Sequence, residues 1–296
     1  MAMQERENDI LKRVRKIEIK TRGLSNEIFA GKYHTAFRGR GMSFSEVREY
    51  RAGDDVRDID WNVTARSSKP HIKIYEEERE LTMMLIVDVS PSRMFGSKEL
   101  TKKNVITEIA ATLAFSAAKN NDKVGCILFS DKVEKFIPPK KGRAHVMMII
   151  RELVGFEATG TTTNISEALR YLAGVNKKRA TCFLLSDLIN AESDMERLDD
   201  ALKIASSKHD IMAIKVYDER DRELPNVGIV EVQDSETGRT EWLDTSSRAV
   251  RRFWMENYDQ RNGVMKSLMQ QTRVDVAEVA TGEDYVVELI KMFKQR

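Results

Sequence analysis

The sequence predicts a doubly wound α/β fold with a mostly parallel sheet and an antiparallel edge. From residue 81 onward, strand-like and helix-like segments alternate, which is typical of parallel sheets built with right-handed crossovers. Two strands, Met83–Val87 and Cys182–Leu185, are continuous apolar runs, as expected where a sheet is buried on both faces. The segments on either side of Ser130-Asp131-Lys132 have the pattern of a hairpin, which places an antiparallel strand at the edge.

Each predicted element follows from its hydrophobic period and the turn residues that flank it. The predicted strands are Leu81–Val87, Lys123–Phe129, Val133–Ile137, Thr181–Leu185, Ile211–Val216 and Asp275–Val279. The predicted helices are Glu99–Lys119, Ala144–Leu153, Ile165–Leu172, Asp194–Ala205, a long charged helix from about Ser246 to Gln271, and Asp284–Phe293. A separate hairpin is predicted from Val227–Val232 and Arg239–Leu243.

A smaller segment is predicted before this domain. Helical spacing of apolar residues predicts a helix over residues 8–22, and alternation in His71–Tyr75 predicts a half-buried strand. Between Lys12 and Arg40 there are nine Lys or Arg and two Asp or Glu. We interpret this basic stretch as a solvated helix face and loop, with an acidic partner or an anionic membrane surface as the alternative. The predicted domains are 1–78 and 79–296, the second with a hairpin insertion near 222–245.

Composition is that of a globular protein without a strong charge bias. The chain has 296 residues, of which 41% are hydrophobic and 32% charged, and a formal net charge of +2. These values exclude a disordered chain and do not indicate a nucleic-acid partner. The two cysteines, Cys126 and Cys182, lie in apolar runs, so we expect reduced thiols. No apolar run is long enough to span a bilayer and the charged N-terminus lacks a signal core, so we expect a cytoplasmic protein.

Several common catalytic sites lack their sequence patterns. There is no G-x-x-x-x-G-K-[ST] loop, no G-x-G-x-x-G after a strand and no G-x-S-x-G elbow around the candidate serines. The four histidines are scattered, without i, i+4 pairs, which argues against a zinc site and a histidine-based triad. These observations favour a protein that is not an enzyme.

Oxygen-bearing side chains stand where ligands bind in such folds, at the carboxyl ends of strands. Asp88-Val89-Ser90-Pro91-Ser92 follows the first strand of the domain, and Asp187 follows another. Thr163 opens a helix between them, with Thr162 as the alternative donor. Hydroxyl and carboxylate oxygens suit a hard cation, so we predict a site for Mg²⁺, with Mn²⁺ or Ca²⁺ as alternatives. The carboxylates would hold its waters, and one open position would take an Asp or Glu of a partner protein.

The set Asp88, Ser90, Ser92, Thr163 and Asp187 resembles the metal-ion-dependent adhesion site of von Willebrand factor A domains. The resemblance implies a von Willebrand factor A-like (Rossmann-like) fold and a metal-dependent protein-interaction module. The sequence departs from the adhesion-site pattern at Pro91, which replaces a glycine, and at Arg93 before Met94. Arg93 has two possible effects, since it could repel the metal or grip an incoming carboxylate.

A second resemblance covers the chain from about Glu46 to the C-terminus. Four segments look like hallmarks of the bacterial family called domain of unknown function fifty-eight: Tyr50–Trp61 followed by Ala65-Arg66, Phe129–Asp131, Phe136–Gly142 and Asp234–Gly238. The family implies a von Willebrand factor A-like domain after a smaller family-specific segment. It also implies a partnership with MoxR-type AAA+ ATPases in chaperone or assembly work.

Two other functions stay open. The first is a Mg²⁺-dependent phosphoester hydrolase that uses the same aspartates, together with Asp54, Asp55, Asp58 and Asp60. We favour a structural role for that cluster because Arg51, Arg57 and Arg66 are interleaved with it and can form ion pairs. The other is a peripheral membrane adaptor that uses the basic stretch.

Overall fold

We describe a computed structural model of the chain, covering residues 15, 17, 43–67, 69–76, 81–97, 100–189, 194–233 and 239–294. The chain divides into two compact units, one at Phe37–Leu81 and one that contains Thr82–Arg296. Arg15 and Ile17 are helical, and the rest of the helix predicted over 8–22 lies outside the described residues, as does most of the basic stretch.

The first unit is a two-stranded antiparallel sheet with a short helix. β1 (Ser43–Glu49) pairs with β2 (His71–Glu76), which confirms the strand predicted at His71–Tyr75. Helix α1 (Trp61–Ser67) lies between them in sequence. It begins after Asp60, whose carboxylate accepts hydrogen bonds from the N–H groups of Asn62 and Val63, as an N-cap does.

The second unit is built on a six-stranded sheet with the order β10-β7-β6-β3-β4-β5. Its strands are β3 (Thr82–Asp88), β4 (Lys123–Phe129), β5 (Val133–Lys140), β6 (Thr181–Ser186), β7 (Asp210–Tyr217) and β10 (Asp275–Ala280). All neighbouring pairs are parallel except β4 and β5, which confirms the predicted antiparallel edge. β5 continues through Pro138 and Pro139, which an edge strand tolerates because one side of its backbone needs no partner.

Helices cover both faces of this sheet, as the doubly wound prediction requires. They are α2 (Lys102–Lys119), α3 (Arg143–Gly155), α4 (Ile165–Val175), α5 (Met195–Lys208), the short α6 (Glu219–Arg222), α7 (Arg248–Gln271) and α8 (Tyr285–Lys294). Met84 and Ile86 of β3 pack in a core with α4, α5 and α7. Because side chains alternate along a strand, Met83 and Leu85 point to the opposite face, where α2 packs on the sheet.

A small hairpin is inserted before α7. β8 (Ile229–Gln233) and β9 (Thr240–Asp244) pair antiparallel, as predicted, and they are hydrogen-bonded only to each other among the described strands. In the part of the chain that the structure describes, we find no helix whose length and hydropathy would allow it to cross a membrane.

Candidate metal centre

The candidate site lies where the chain order of the sheet reverses. β3 is flanked by β4 on one side and β6 on the other, so the carboxyl ends of three parallel strands meet at one edge. Asp88 ends β3 and Ser186 ends β6, and the preceding residues Val87 and Leu185 are paired across the two strands. This register brings the Asp88 and Asp187 segments together, as the sequence predicted.

Asp88 is a buried carboxylate with both oxygens engaged. One oxygen accepts from the Ser90 N–H at 2.8 Å and the other from the Ser186 hydroxyl at 2.7 Å. Burial, together with the negative charge of nearby Asp187, raises the pKa of Asp88 to about 6. A raised pKa means that the charged form is under-compensated, so a cation near Asp88 would stabilise it.

The two serines form a pair of hydroxyls in the loop after β3. Ser90 is fully buried and precedes a 3-10 turn at Pro91–Met94, in which the proline occupies the first position. The Oγ atoms of Ser90 and Ser92 lie 3.0 Å apart. Adjacent ligand oxygens of an octahedral Mg²⁺ are about 2.9 Å apart for bonds of about 2.05 Å. The spacing therefore fits a pair of metal ligands as well as a hydrogen bond.

Thr163 lies in a loop beside the carboxyl end of the neighbouring strand β4. The N–H of the next residue, Asn164, donates to the carbonyl of Ser130 directly after β4. Thr163 is buried, and its Oγ1 has no hydrogen-bond partner among the described residues. Thr162 is only half-buried. A buried hydroxyl without a partner is rare and costly, which is expected if Thr163 contacts a ligand.

A carboxylate that the sequence did not single out holds the Thr163 loop in place. Glu134 of β5 accepts from the N–H groups of Thr159 and Gly160 and from the hydroxyls of Thr159 and Ser130, at 2.7–2.9 Å. Burial disfavours the charge of Glu134, but these hydrogen bonds outweigh it and lower its pKa to about 2. We refer to Glu134 and these three partners as the loop clamp.

Asp187 is held by a buried ammonium group that the sequence did not indicate. Its carboxylate accepts from the Ile189 N–H at 3.1 Å and from Lys102 Nζ at 3.2 Å. Lys102 is 2% exposed and its Nζ also lies 2.8 Å from the carboxylate of Asp221. Both oxygens of Asp187 thus have protein donors, as do those of Asp88. Two carboxylates in this state suit hydrogen bonding to metal-bound water better than direct ligation.

Arg93, the cation that departs from the adhesion-site pattern, is also buried. Its guanidinium donates to the carbonyl of Phe156 at 2.8 Å. Burial lowers the pKa of Arg93 to about 10, and the charge of Asp88 partly opposes this. Arg93 therefore ties the serine loop to the segment after α3.

The aspartate cluster of the first unit has structural partners. Asp54 forms a two-point ion pair with Arg48, with both N–O distances at 2.8 Å, and accepts from the Arg51 N–H. Asp55 and Asp60 cap a 3-10 turn and α1. The ion pair involves Arg48, whereas the sequence drew attention to Arg51, Arg57 and Arg66. These contacts support the structural interpretation of the cluster.

The residues at the sheet edge fit a hard cation. Among the described residues, no three His, Cys, Asp or Glu side chains converge on one point. A cation at this edge would take the hydroxyl oxygens of Ser90, Ser92 and Thr163 as ligands, and Asp88 and Asp187 would hold its waters. Two observations support the fit: the Thr163 hydroxyl has no partner among the described residues, and the charge of the Asp88 carboxylate is under-compensated.

Residues 46–263 match the model of a protein family, that is, nearly three quarters of the chain. The chain belongs to the family described as protein of unknown function DUF58. Membership agrees with the resemblance found in the sequence, and the strand order is that of a doubly wound, mostly parallel α/β sheet.

Relatives of this DUF58 protein include uncharacterized proteins of Mycobacterium bovis and Mycobacterium tuberculosis. Each is 29% identical over 227 residues, which cover 76% of this chain and 70% of the relative. Among solved structures, the conserved hypothetical protein BatB from Bacteroides thetaiotaomicron is 12% identical with a TM-score of 0.47, over 73% of this chain and 98% of that one. The SpRpn10 von Willebrand factor A domain is 10% identical with a TM-score of 0.41, over 74% and 96%.

Proposed function

We propose that this DUF58 protein is a metal-dependent protein-interaction module. Mg²⁺ would be held at the edge of the second unit by Ser90, Ser92 and Thr163, with Asp88 and Asp187 orienting its waters. The observation that carries the proposal is the buried Oγ1 of Thr163, which has no partner in the described part of the chain and lies in a loop beside the carboxyl end of β4, the strand paired with β3. Mn²⁺ and Ca²⁺ are the alternative cations.

The residues around the site have distinct tasks in this proposal. The bound metal would supply a Lewis-acidic position that takes a carboxylate from another protein. Ser186 and the Ser90 N–H fix the orientation of Asp88. Lys102 offsets one of the two buried negative charges, so the carboxylates do not over-neutralise the metal. The metal then keeps a charge that favours an acidic partner.

The partner we propose is a MoxR-type AAA+ ATPase, as the family resemblance implies. Contact would be made by an Asp or Glu side chain that completes the metal's ligands. A reversible contact of this kind suits an adaptor that delivers a client protein or an assembly intermediate to the ATPase. We regard the protein as non-enzymatic because its sequence lacks the patterns of the common catalytic sites.

The test is binding of the intact chain to the MoxR-type ATPase of the same organism, in Mg²⁺ and in EDTA. We expect capture in Mg²⁺ only, and loss of capture by Asp88→Ala and Ser92→Ala with circular dichroism unchanged. Asp199→Ala, a change in a surface ion pair of α5, is the control and should bind as the wild type does. Capture that survives EDTA, or that Asp88→Ala retains, contradicts the proposal.

A further inference from the structure

A cavity of about 360 Å³ lies beside the candidate metal centre and shares the residue Asp187 with it. It is lined by Asp187–Ile189 after β6, by Lys215 of β7 and by several residues of α7 between Asn257 and Met265. We call this space the α7 cavity.

Lys215 brings a buried positive charge to the α7 cavity. Its side chain is 5% exposed, and its Nζ donates to the Tyr258 hydroxyl at 3.0 Å and to Asn262 Oδ1 at 2.7 Å. The ammonium also lies 4.8 Å from the centre of the Tyr258 ring, at cation–π distance. An ammonium has three N–H donors, and two are used by these neutral acceptors.

The contrast with Lys102 shows what is unusual about Lys215. Lys102, the other deeply buried lysine of this region, is paired with two carboxylates, Asp187 and Asp221. Within the ranges that the structure describes, no carboxylate lies at ion-pair distance from Lys215 Nζ. Burial lowers the pKa of Lys215, the charge of Lys266 adds to this, and the carboxylates of Glu278, Asp187 and Asp221 oppose it only from beyond ion-pair distance. A buried charge without a counter-ion at ion-pair distance destabilises a fold as a rule.

The rest of the lining indicates what kind of molecule would supply the counter-ion. Asn257, Gln260 and Arg261 bring amide and guanidinium donors to the α7 side. Leu188, Met195 and Met265 supply apolar surface. Apolar walls with a few convergent polar groups are typical of small-molecule sites. The chemistry calls for an anionic group at Lys215 and an apolar body against the leucine and methionines.

We propose that the α7 cavity binds a small organic anion, with its carboxylate or phosphate on the Lys215 ammonium and its apolar body against Leu188, Met195 and Met265. Binding completes the third hydrogen bond of Lys215 and provides its missing counter-ion. The cavity shares Asp187 with the candidate metal centre, but the anion contacts Lys215 and α7, so the inference does not depend on a metal.

The experiment uses the full chain in EDTA with three probes that share a phenyl ring. They are benzoate, phenyl phosphate and the neutral benzamide. We expect benzoate or phenyl phosphate to raise the melting temperature and to bind in calorimetric titration, and benzamide to do neither. A response to one anion and not the other identifies the ligand class as carboxylate or phosphate.

Two variants test the role of the cavity. Lys215→Met keeps the length of the side chain and removes the charge, so it should fold and bind the anion at least about tenfold more weakly. Met195→Trp fills the cavity and should abolish binding while Lys215 is retained. Lys291→Met, at an exposed ion pair of α8, is the matched control and should bind as the wild type does.

Three results overturn the inference: no response to either anion, an equal response to benzamide, or unchanged affinity in Lys215→Met. The candidate metal centre is tested separately, because Asp88→Ala should leave the response to the anion unchanged. Loss of metal-dependent capture and loss of anion binding are thus distinguishable.

Discussion

At the scale of single residues, the Thr163 hydroxyl is the strongest indication that the candidate site contacts a ligand. A buried polar group without a partner destabilises a fold by about 1–3 kcal/mol, so it persists where a ligand uses it. Thr163 is 3% exposed and its Oγ1 is unpartnered among the described residues. The other two hydroxyls, of Ser90 and Ser92, already satisfy each other.

Thr163→Val is therefore expected to separate metal binding from stability. Valine has the same shape and lacks the hydroxyl, so the melting temperature without metal should stay the same or rise. Mg²⁺ affinity, measured by calorimetric titration, should fall by at least about tenfold. Thr162→Val is the control for a neighbouring threonine. If that variant, rather than Thr163→Val, loses Mg²⁺ affinity, the assignment of the ligand to Thr163 is wrong.

The sequence singled out the five oxygen-bearing residues because each stands near the end of a strand or the start of a helix, and their role at a metal stays a prediction. It did not single out Lys102, which is followed by another lysine of the same helix. Successive residues of a helix point in different directions, so Lys102 is buried against Asp187 and Lys103 is not. The composition of the segment does not indicate which of the two lysines is buried. The sequence did not single out Ser186 either, because its hydrogen bond to Asp88 depends on the register between β3 and β6.

At the scale of elements, the loop clamp connects the antiparallel edge of the sheet to the Thr163 loop. Glu134 on β5 gathers hydrogen bonds from residues 4, 25 and 26 positions away. The strand and its hairpin were predictable from alternation and turn residues. The clamp was not, since it depends on how two loops meet in space.

The depressed pKa of Glu134 predicts how stability depends on pH. A group with a lowered folded-state pKa contributes stability above its unfolded value, here about 4.5, and this is lost as the pH falls toward about 2. Glu134→Gln removes the charge, so urea unfolding should show a less stable variant at neutral pH. The difference from the wild type should shrink below about pH 4.5 and vanish near pH 2. A difference independent of pH would contradict a charge-based clamp.

Gly160 provides a second test of the loop clamp, in which an added Cβ changes the packing and leaves the charge of Glu134 unchanged. A Cβ at Gly160 would lie 1.8 Å from Asp131 Oδ1 and 2.2 Å from Ser130 Oγ, so Gly160→Ala displaces both side chains and breaks the Ser130–Glu134 hydrogen bond. We expect a loss of about 1–3 kcal/mol in the free energy of unfolding and weaker Mg²⁺ binding. Gly174→Ala, in α4 with nothing within 4 Å of the added Cβ, is the matched control and should be neutral or stabilising.

At the scale of the whole molecule, the sheet and its helix layers follow from hydrophobic period alone. Continuous apolar runs predicted the central parallel strands, and helical spacing predicted the layers on both faces. Element ends were less predictable. β5 runs three residues beyond its predicted end, Ile137, because prolines that would stop a central strand are allowed at an edge.

The distribution of buried apolar residues predicts that the larger unit folds without the smaller one. Among the described side chains, Ile72 is the buried hydrophobic residue of the Phe37–Leu81 unit, whereas the rest of the core lies in Thr82–Arg296. Hydrophobic burial is the main favourable term in folding. A fragment of residues 79–296 should therefore unfold cooperatively and retain Mg²⁺ affinity, and a fragment of residues 1–78 should show no cooperative transition. Thermal melts followed by circular dichroism, with Mg²⁺ titration of the larger fragment, provide the measurement. A non-cooperative melt of 79–296 would mean that its stability depends on the preceding segment, and the predicted boundary at residues 78 and 79 would then be wrong.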